Sequence, residues 1–412
     1  MIELSRYLRE NDLVVVPQGT AEPLDLTRRL VAEEHRLPRV RVFVGTLYSS
    51  TFEPATRLSL VSFGGLGTAR RLVASGACRV IPCHLSEIPA LFEDRLRPDV
   101  VLLHLSAESR DGRHSVGIVD DYLKAAVATA RVVIAQVNAQ MPYTNGSTTF
   151  ALDELDAYEH VDTPLLEVPP PKQDETSRRI GELAAELIGD GSRIQIGIGS
   201  VPDAILRELH GRRGLGIHSG LMTDALLHLH GSGAVTNDGE DVHLPGKSVV
   251  GTVFGTRALY DALPADDTIW MRPVTTTHAH TVLAGLDRFV SINSALEVDL
   301  SGQVNSEQAG DTHLGAVGGQ VDFVRGAAAS SGGRSILALQ SVDRSGRLSR
   351  IVARIPSGVT TTARSDVDTV ITEYGVAELR GIPLDERARR LAAIAHPRFR
   401  DELAAALRSM PA

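Results

Sequence analysis

Thiols are scarce in this chain: among its 412 residues only Cys78 and Cys83 are cysteines. Two thiols flanking a short, Pro-containing, strand-like stretch make neither a disulfide framework nor a metal-ligand set, so a reducing compartment is expected. No His/Cys/carboxylate spacing of a catalytic metal site occurs elsewhere. Long apolar runs are missing as well. Nowhere do about 18 consecutive apolar residues occur, and the amino terminus carries charges where a signal peptide needs an apolar core. A cytosolic protein with no membrane partner is the expectation. Basic excess is also lacking: the formal net charge is -9, which argues against a polyanion-coating surface and against nucleic acid as a partner. Low-complexity tracts are absent.

What remains is an ordinary globular composition, 43% hydrophobic and 23% charged, enough for a sizeable core. The length suggests more than one domain, and two is the expectation. The clearest break runs from Glu167 to Gln173, where Pro169-Pro170-Pro171-Lys172 can neither continue a helix nor pair inside a sheet. It divides the chain into lobes 1–168 and 173–412.

Each lobe opens on the same pattern: a helix-like segment, a polar turn, an apolar strand, a glycine-containing loop and a proline near a helix start. In the first lobe the strand is Leu13-Val14-Val15-Val16, followed by Gln18-Gly19-Thr20-Ala21-Glu22-Pro23. In the second it is Ile194-Gln195-Ile196-Gly197-Ile198, followed by Gly199-Ser200-Val201-Pro202-Asp203. Further β-branched runs at 100–103, 132–134, 249–253 and 370–372 alternate with helix-like segments. The fold class is therefore α/β, with mostly parallel sheets flanked by helices. The stretch 289–304 breaks the rhythm, because two alternating segments meet at Leu300-Ser301-Gly302, a turn suited to a hairpin. The chain should close on a helix, with Pro397 at its start and Phe399, Leu403 and Leu407 on one face.

Two glycine clusters suit ligand chemistry. Gly197 to Asp203 places small residues between a strand and a helix start, where free N–H groups receive an anion or let a ligand approach. It lacks the third glycine and the downstream acid of a dinucleotide fingerprint, and packing alone explains many such turns. Gly315-Ala316-Val317-Gly318-Gly319-Gln320 precedes Asp322, and its N–H donors suit a thioester oxyanion or a phosphate. A tight loop into a helix is the plainer reading.

Taken together, Ile194–Leu206 (IQIGIGSVPDAIL), Leu215–Asp224 (LGIHSGLMTD), Ser291–Glu307 (SINSALEVDLSGQVNSE), Val317–Gly326 (VGGQVDFVRG) and Thr372–Ala395 (TEYGVAELRGIPLDERARRLAAIA) are similar to the acetyl-CoA hydrolase / CoA-transferase family, which includes 4-hydroxybutyrate CoA-transferases. The resemblance covers nearly the whole chain and extends to a GQG-x-x-EP-like segment at Gln18–Pro23. It implies two CoA-transferase lobes with the active site in the cleft between them, lined by Gln18–Pro23, Gly197–Pro202, His218–Gly220 and Gly315–Gln320. It implies no permanent cofactor, acyl-CoA and a small acceptor as substrates, and a homodimer as a plausible assembly. The implied catalytic group is His218, Ser219, Gly220, Gly318 and Gly319. The implied CoA or substrate contacts are Gln18, Gly19, Glu22, Gly197, Gly199, Pro202, Asn293, Glu297, Gln320 and Asp322.

One departure stands out. Family members attack the thioester with a glutamate and hold CoA as a glutamyl thioester, which needs an ionised carboxylate beside an oxyanion hole. In the 4-hydroxybutyrate branch that glutamate follows the His-Ser pair of an LGIHSEM segment, where this chain has Gly220. In a more distant branch it lies in MRPQE, where this chain has Thr275. Asp224, Glu297, Asp299 and Glu307 are possible substitutes, with helix-end or hairpin roles as the alternative; His218, His278 and His280 are further titratable groups near the expected cleft. Three functions stay open: acyl transfer from CoA directly to water or a small nucleophile, conventional transfer through a displaced carboxylate, and a catalytically silent CoA-binding protein.

Overall fold

The computed structural model describes residues 1–238 and 244–408. Strand Val100–Ser106 is buried at all seven positions, the signature of a parallel strand covered on both faces. It lies inside a seven-stranded sheet in the spatial order 157–161, 132–138, 100–106, 13–15, 41–43, 59–62 and 78–80. Every pairing in that sheet is parallel. Alternate residues feed two cores. Val14, Val42, Leu60 and Leu102 pack on one face with Leu26, Leu30 and Leu72. Leu13, Val15, Phe43 and Leu103 pack on the other with Phe92, Tyr122 and Leu123.

A second sheet has nine strands in the order 375–378, 369–372, 334–338, 289–293, 193–196, 216–222, 248–253, 269–271 and 145–146. All its pairings are parallel except that of Thr369–Thr372 with Gly375–Glu378. Its apolar core takes Ile194, Ile196, Ile217, Val250, Ile292 and Ile336 against Ile180, Ile205 and Leu226 of neighbouring helices. The mostly parallel α/β architecture expected from the alternating runs is thus present, and the strands at 13–15, 100–106, 132–138, 193–196 and 248–253 fall where β-branched runs place them.

The last edge strand, Asn145–Gly146, comes from the first half of the sequence and pairs with Trp270 and Met271. A two-residue strand has no period to read, so sequence pattern does not anticipate it. Gly146 suits the approach: a Cβ there would lie 2.8 Å from the Met271 carbonyl. Pro169–Lys172 runs without regular structure between strand Ala157–Val161 and helix Glu175–Ala185, whose Asp174 caps the Ser177 N–H at 2.7 Å.

The hairpin at 297–305 forms as expected, with Glu297–Asp299 antiparallel to Val304–Asn305. Asp299 Oδ1 accepts from Ser301 N at 2.9 Å and Gln303 N at 3.1 Å, and Gly302 supplies the left-handed turn residue at φ +91°. The chain's last described helix, Arg400–Leu407, follows a 3₁₀ turn at Pro397–Phe399 and buries Leu403.

The two sheets meet through loops at the C-terminal ends of their strands, where open α/β sheets bind ligands. Gly64 bridges to Ala316 and His84 to Gly318. The Gly65 N–H donates to Gly315 O at 2.8 Å, and Leu85 N–H to Gly318 O at 3.0 Å. Ser86 Oγ donates to Asp322 Oδ1 at 2.7 Å, tying helix Gln320–Ala329 to the first sheet's loops.

Candidate active site

At that junction lies a cavity of about 260 Å³. Its walls combine Gln18, Thr46, Phe63 and Asp121 from the first half with Gly197, Gly220, His278, Asn293 and the 315–320 loop from the second. Both glycine-rich loops therefore face one space. Gly318 has φ +56°, a left-handed conformation that glycine takes without strain, and Gly319 opens the ten-residue helix Gln320–Ala329. The first N–H groups of a helix have no intrahelical partner, and this helix starts on the cavity wall.

Gly220 lines the cavity in mid-strand Gly216–Met222, and its side-chain position is already taken. A Cβ there would lie 2.8 Å from Cε1 and 3.0 Å from Nε2 of His278, and 3.3 Å from Phe323. The imidazole of His278 also abuts Gly319 on its other side and stacks on Phe323 with ring centroids 4.5 Å apart. Its Nδ1 is 2.8 Å from Thr277 Oγ1. Burial, and then the neighbouring His218, push the His278 pKa down to about 3, so this ring is neutral near pH 7.

Asp121 and His278 are the only ionisable side chains on the cavity wall among the described residues. Asp121 is buried, sits at φ +37° and accepts a short hydrogen bond from Gln18 Nε2 at its Oδ2. Gln18 Oε1 in turn accepts from Thr46 N at 3.2 Å. Burial drives the Asp121 pKa up to about 6, against the opposing pull of hydrogen bonds from Gln18 and Thr252.

The acetyl-CoA hydrolase/transferase N-terminal domain model matches residues 3–164, and the corresponding C-terminal domain model matches residues 255–407. The 4-hydroxybutyrate coenzyme A transferase of Clostridium kluyveri is 39% identical over 404 residues, 96% of this chain and 94% of that protein. The chain belongs to the acetyl-CoA hydrolase/transferase family. The succinyl-CoA:cyclohexane-1-carboxylate CoA transferase of Geobacter metallireducens is 33% identical, covering 99% of this chain and 94% of its own. Among solved structures, RipA from Yersinia pestis superposes with a TM-score of 0.92 at 31% identity, over 99% of this chain and 96% of that one. The 4-hydroxybutyrate CoA-transferase of Porphyromonas gingivalis gives a TM-score of 0.81 at 34% identity, over 98% and 95%.

Of the residues singled out by resemblance to this family, Gln18, Gly197, Gly220, Asn293, Gly318, Gly319 and Gln320 line the cavity. Asn293 Nδ2 donates to Gln195 Oε1 at 3.0 Å, and Gln320 Oε1 accepts from Ser306 Oγ at 2.9 Å, so both amides are held in place. The others lie elsewhere. His218 is buried behind the wall, its Nε2 3.2 Å from the Thr277 carbonyl, and Ser219 Oγ accepts from Ile196 N at 3.2 Å. His218 shares the face of Gly220 two residues on but lies deeper, against Thr277 and His278, while Ser219 points to the opposite face and is spent on the neighbouring strand at Ile196. Glu22 accepts from Ser49 Oγ at 2.5 Å and Thr27 Oγ1 at 2.7 Å, bracing the first helix. Gly19 lies under the Phe254 ring at φ +67°. Gly199 caps helix Ser200–Glu208, which holds Pro202 buried within it.

The candidate substitute carboxylates do not reach the cavity wall. Asp224 binds Thr256 Oγ1 at 2.6 Å, Glu297 binds Asn305 Nδ2 at 2.7 Å and Glu307 binds Thr361 Oγ1 at 2.7 Å. Asp299 holds the hairpin turn, Asp322 holds Ser86, and Thr275 and His280 are exposed. The missed residue is Asp121. Its signal is the Asp120-Asp121 pair set between apolar Val119 and Tyr122, all four buried, a pattern that surface charge does not explain.

Proposed function

We propose that this protein is an enzyme that cleaves acyl-CoA thioesters by transferring the acyl group directly to water or another small nucleophile, with no glutamyl intermediate. The observation that carries the reading is the occupation of Gly220's side-chain space by His278. Where the resemblance puts a glutamate there is no side chain, and no room for one while the imidazole stays. What a thioester needs otherwise is at hand: N–H donors at Gly318–Gly319 for the developing oxyanion, an amide pair in Gln195 and Asn293, and a cavity open to an incoming substrate. A silent CoA-binding protein has no use for that donor set.

A conventional transferase is the second reading, favoured by the one carboxylate on the wall among the described residues, Asp121. The test separates them. Acetyl-, butyryl- and 4-hydroxybutyryl-CoA are incubated with enzyme, with and without free acetate, and thiol release is followed. Thiol release without any carboxylate, at a rate indifferent to acetate, is the expected result. Release that requires acetate and follows double-displacement kinetics overturns the reading. Raised melting temperature with millimolar CoA accompanies either enzyme and tests binding itself.

A further inference from the structure

The carboxylate on the cavity wall has a role that follows from its surroundings, on the reading that water is the acceptor. We propose that Asp121 is the general base that deprotonates the attacking water. Four observations carry this. Asp121 lies on the cavity wall beside Gly220: a Cβ built on Gly251 would be 3.0 Å from Asp121 Oδ1 and 3.2 Å from Gly220 O, so the carboxylate and that strand position are neighbours. The carboxylate is oriented by Gln18 and Thr252, and two hydrogen bonds leave lone pairs of its two oxygens unused for a water. Its backbone is pinned as well, with Val274 N donating to Asp121 O at 2.9 Å while the residue holds φ +37°, a strained conformation that packing at functional sites maintains. The Gly318–Gly319 loop lines the same cavity, and its N–H groups are the donors for the oxyanion in this scheme.

A short side chain fixed at both ends suits action through one intervening water, whereas direct attack would require its oxygen within about 3–3.5 Å of the thioester carbon. The step balances as follows. The water oxygen bonds to the thioester carbonyl carbon as one water proton passes to Asp121, and the carbonyl electrons move onto the oxyanion. Collapse breaks the C–S bond, the sulfur leaves with that electron pair, and the proton on Asp121 passes to sulfur. The products are the free acid and CoA thiol, with the carboxylate restored.

The electrostatics agree. A base works best with a pKa near the operating pH, and burial lifts Asp121 to about 6. The titratable groups around it are Asp120 and Tyr122 on its own segment and His278 on the cavity wall; Lys124 and Arg272 act on Asp120, whose pKa burial raises to about 7. His278 is neutral near pH 7, which leaves Asp121 near 6 and its neighbour Asp120 near 7 as the groups of this cluster that titrate between pH 5 and 8; of the two only Asp121 is on the cavity wall, so the inflection near 6 is the one assigned to the base.

The experiment compares full-length wild type with Asp121→Asn, an isosteric change, on the fastest-cleaved thioester of the panel above. Wild-type kcat/KM rises with pH through an inflection near 6 and levels off; Asp121→Asn loses about 10²–10⁴-fold in hydrolysis and the inflection disappears. Hydroxylamine, a stronger nucleophile that needs no base, is acylated by the variant at a rate close to wild type. Equal loss with water and hydroxylamine, an inflection near 6 that survives, or hydrolysis within about threefold of wild type overturns the assignment. So does ¹⁸O from labelled water appearing in the Asp121 peptide after single turnover, since that marks a nucleophile. Failure of wild type to cleave any thioester without acetate defeats the function reading instead.

Discussion

The imidazole of His278 stands where a side chain on Gly220 would begin, 2.8 Å from Cε1 and 3.0 Å from Nε2 to the nearest possible Cβ. Gly220 is absent from the residues with positive φ, so the obstacle to a side chain is the ring and Phe323, not the backbone. Gly220→Glu alone is therefore expected to destabilise the protein by about 1–3 kcal/mol through overpacking and to yield no covalent adduct. Gly220→Glu combined with His278→Ala opens the space, and a borohydride-trappable glutamyl-CoA thioester is expected. Intact-protein mass spectrometry of both variants after acyl-CoA decides; an adduct on the single variant would mean that His278 moves aside freely.

His104 sets an acid limit on stability. It is buried, 2.9 Å from Asn138 Nδ2 and 3.3 Å from the Ala21 carbonyl, and burial lowers its pKa to about 4 from 6.5. A histidine whose folded pKa is depressed gives stability that is fully present above the unfolded value and lost as pH falls toward the folded one. On the order of 3 kcal/mol should therefore disappear between pH 6.5 and 4 from this residue alone. Asp121 and Asp120 act with the opposite sign, because raised carboxylate pKa values favour the folded state at low pH. Urea melts across pH 4–7 of wild type and His104→Gln test this: the variant should show the shallower loss on acidification.

Ser86 and Asp322 hold the two halves together over the cavity's edge. Asp322 is half-buried and its pKa is raised by burial, so losing the hydroxyl leaves it only the Ser86 N–H at 3.3 Å. Ser86→Ala should cost about 1–3 kcal/mol in thermal or urea unfolding, with the fold and CoA-induced stabilisation retained. A neutral melt would show that the contact contributes nothing.

Acyl selectivity follows from charge. No Lys or Arg is on the cavity wall among the described residues, while Asp121 is. An acyl group ending in a carboxylate would enter with no cation to pair it. Butyryl-CoA should exceed succinyl-CoA in kcat/KM by at least about tenfold, the equivalent of about 1.4 kcal/mol. Parity between them would place a cation at the acyl end that the wall does not show.

Much of this was legible beforehand because it rests on local pattern. The β-branched runs give both parallel sheets, Asp299 and Gly302 give the hairpin, and the glycine clusters at 197 and 315–319 reach one cavity. What the pattern hides is what tertiary packing decides. His218 and Ser219 immediately precede Gly220 in sequence yet lie behind the wall, and Glu22 and Asp322 spend their carboxylates on hydroxyls of neighbouring segments. Asp121 and His278 come from loops far apart in sequence and meet only through the docking of the two sheets, visible in the Asp121–Pro273 and Val119–Thr252 bridges.

The most direct test of direct acyl transfer is a trapping experiment on the unmodified chain. Enzyme and acyl-CoA are mixed, quenched with borohydride during turnover and digested, and every carboxylate-containing peptide is weighed. The account predicts thiol release with no reduced or acylated carboxylate anywhere in the chain. A stoichiometric reduced adduct on Asp121, Asp224 or any glutamate would contradict it and make this a double-displacement CoA-transferase with a relocated nucleophile.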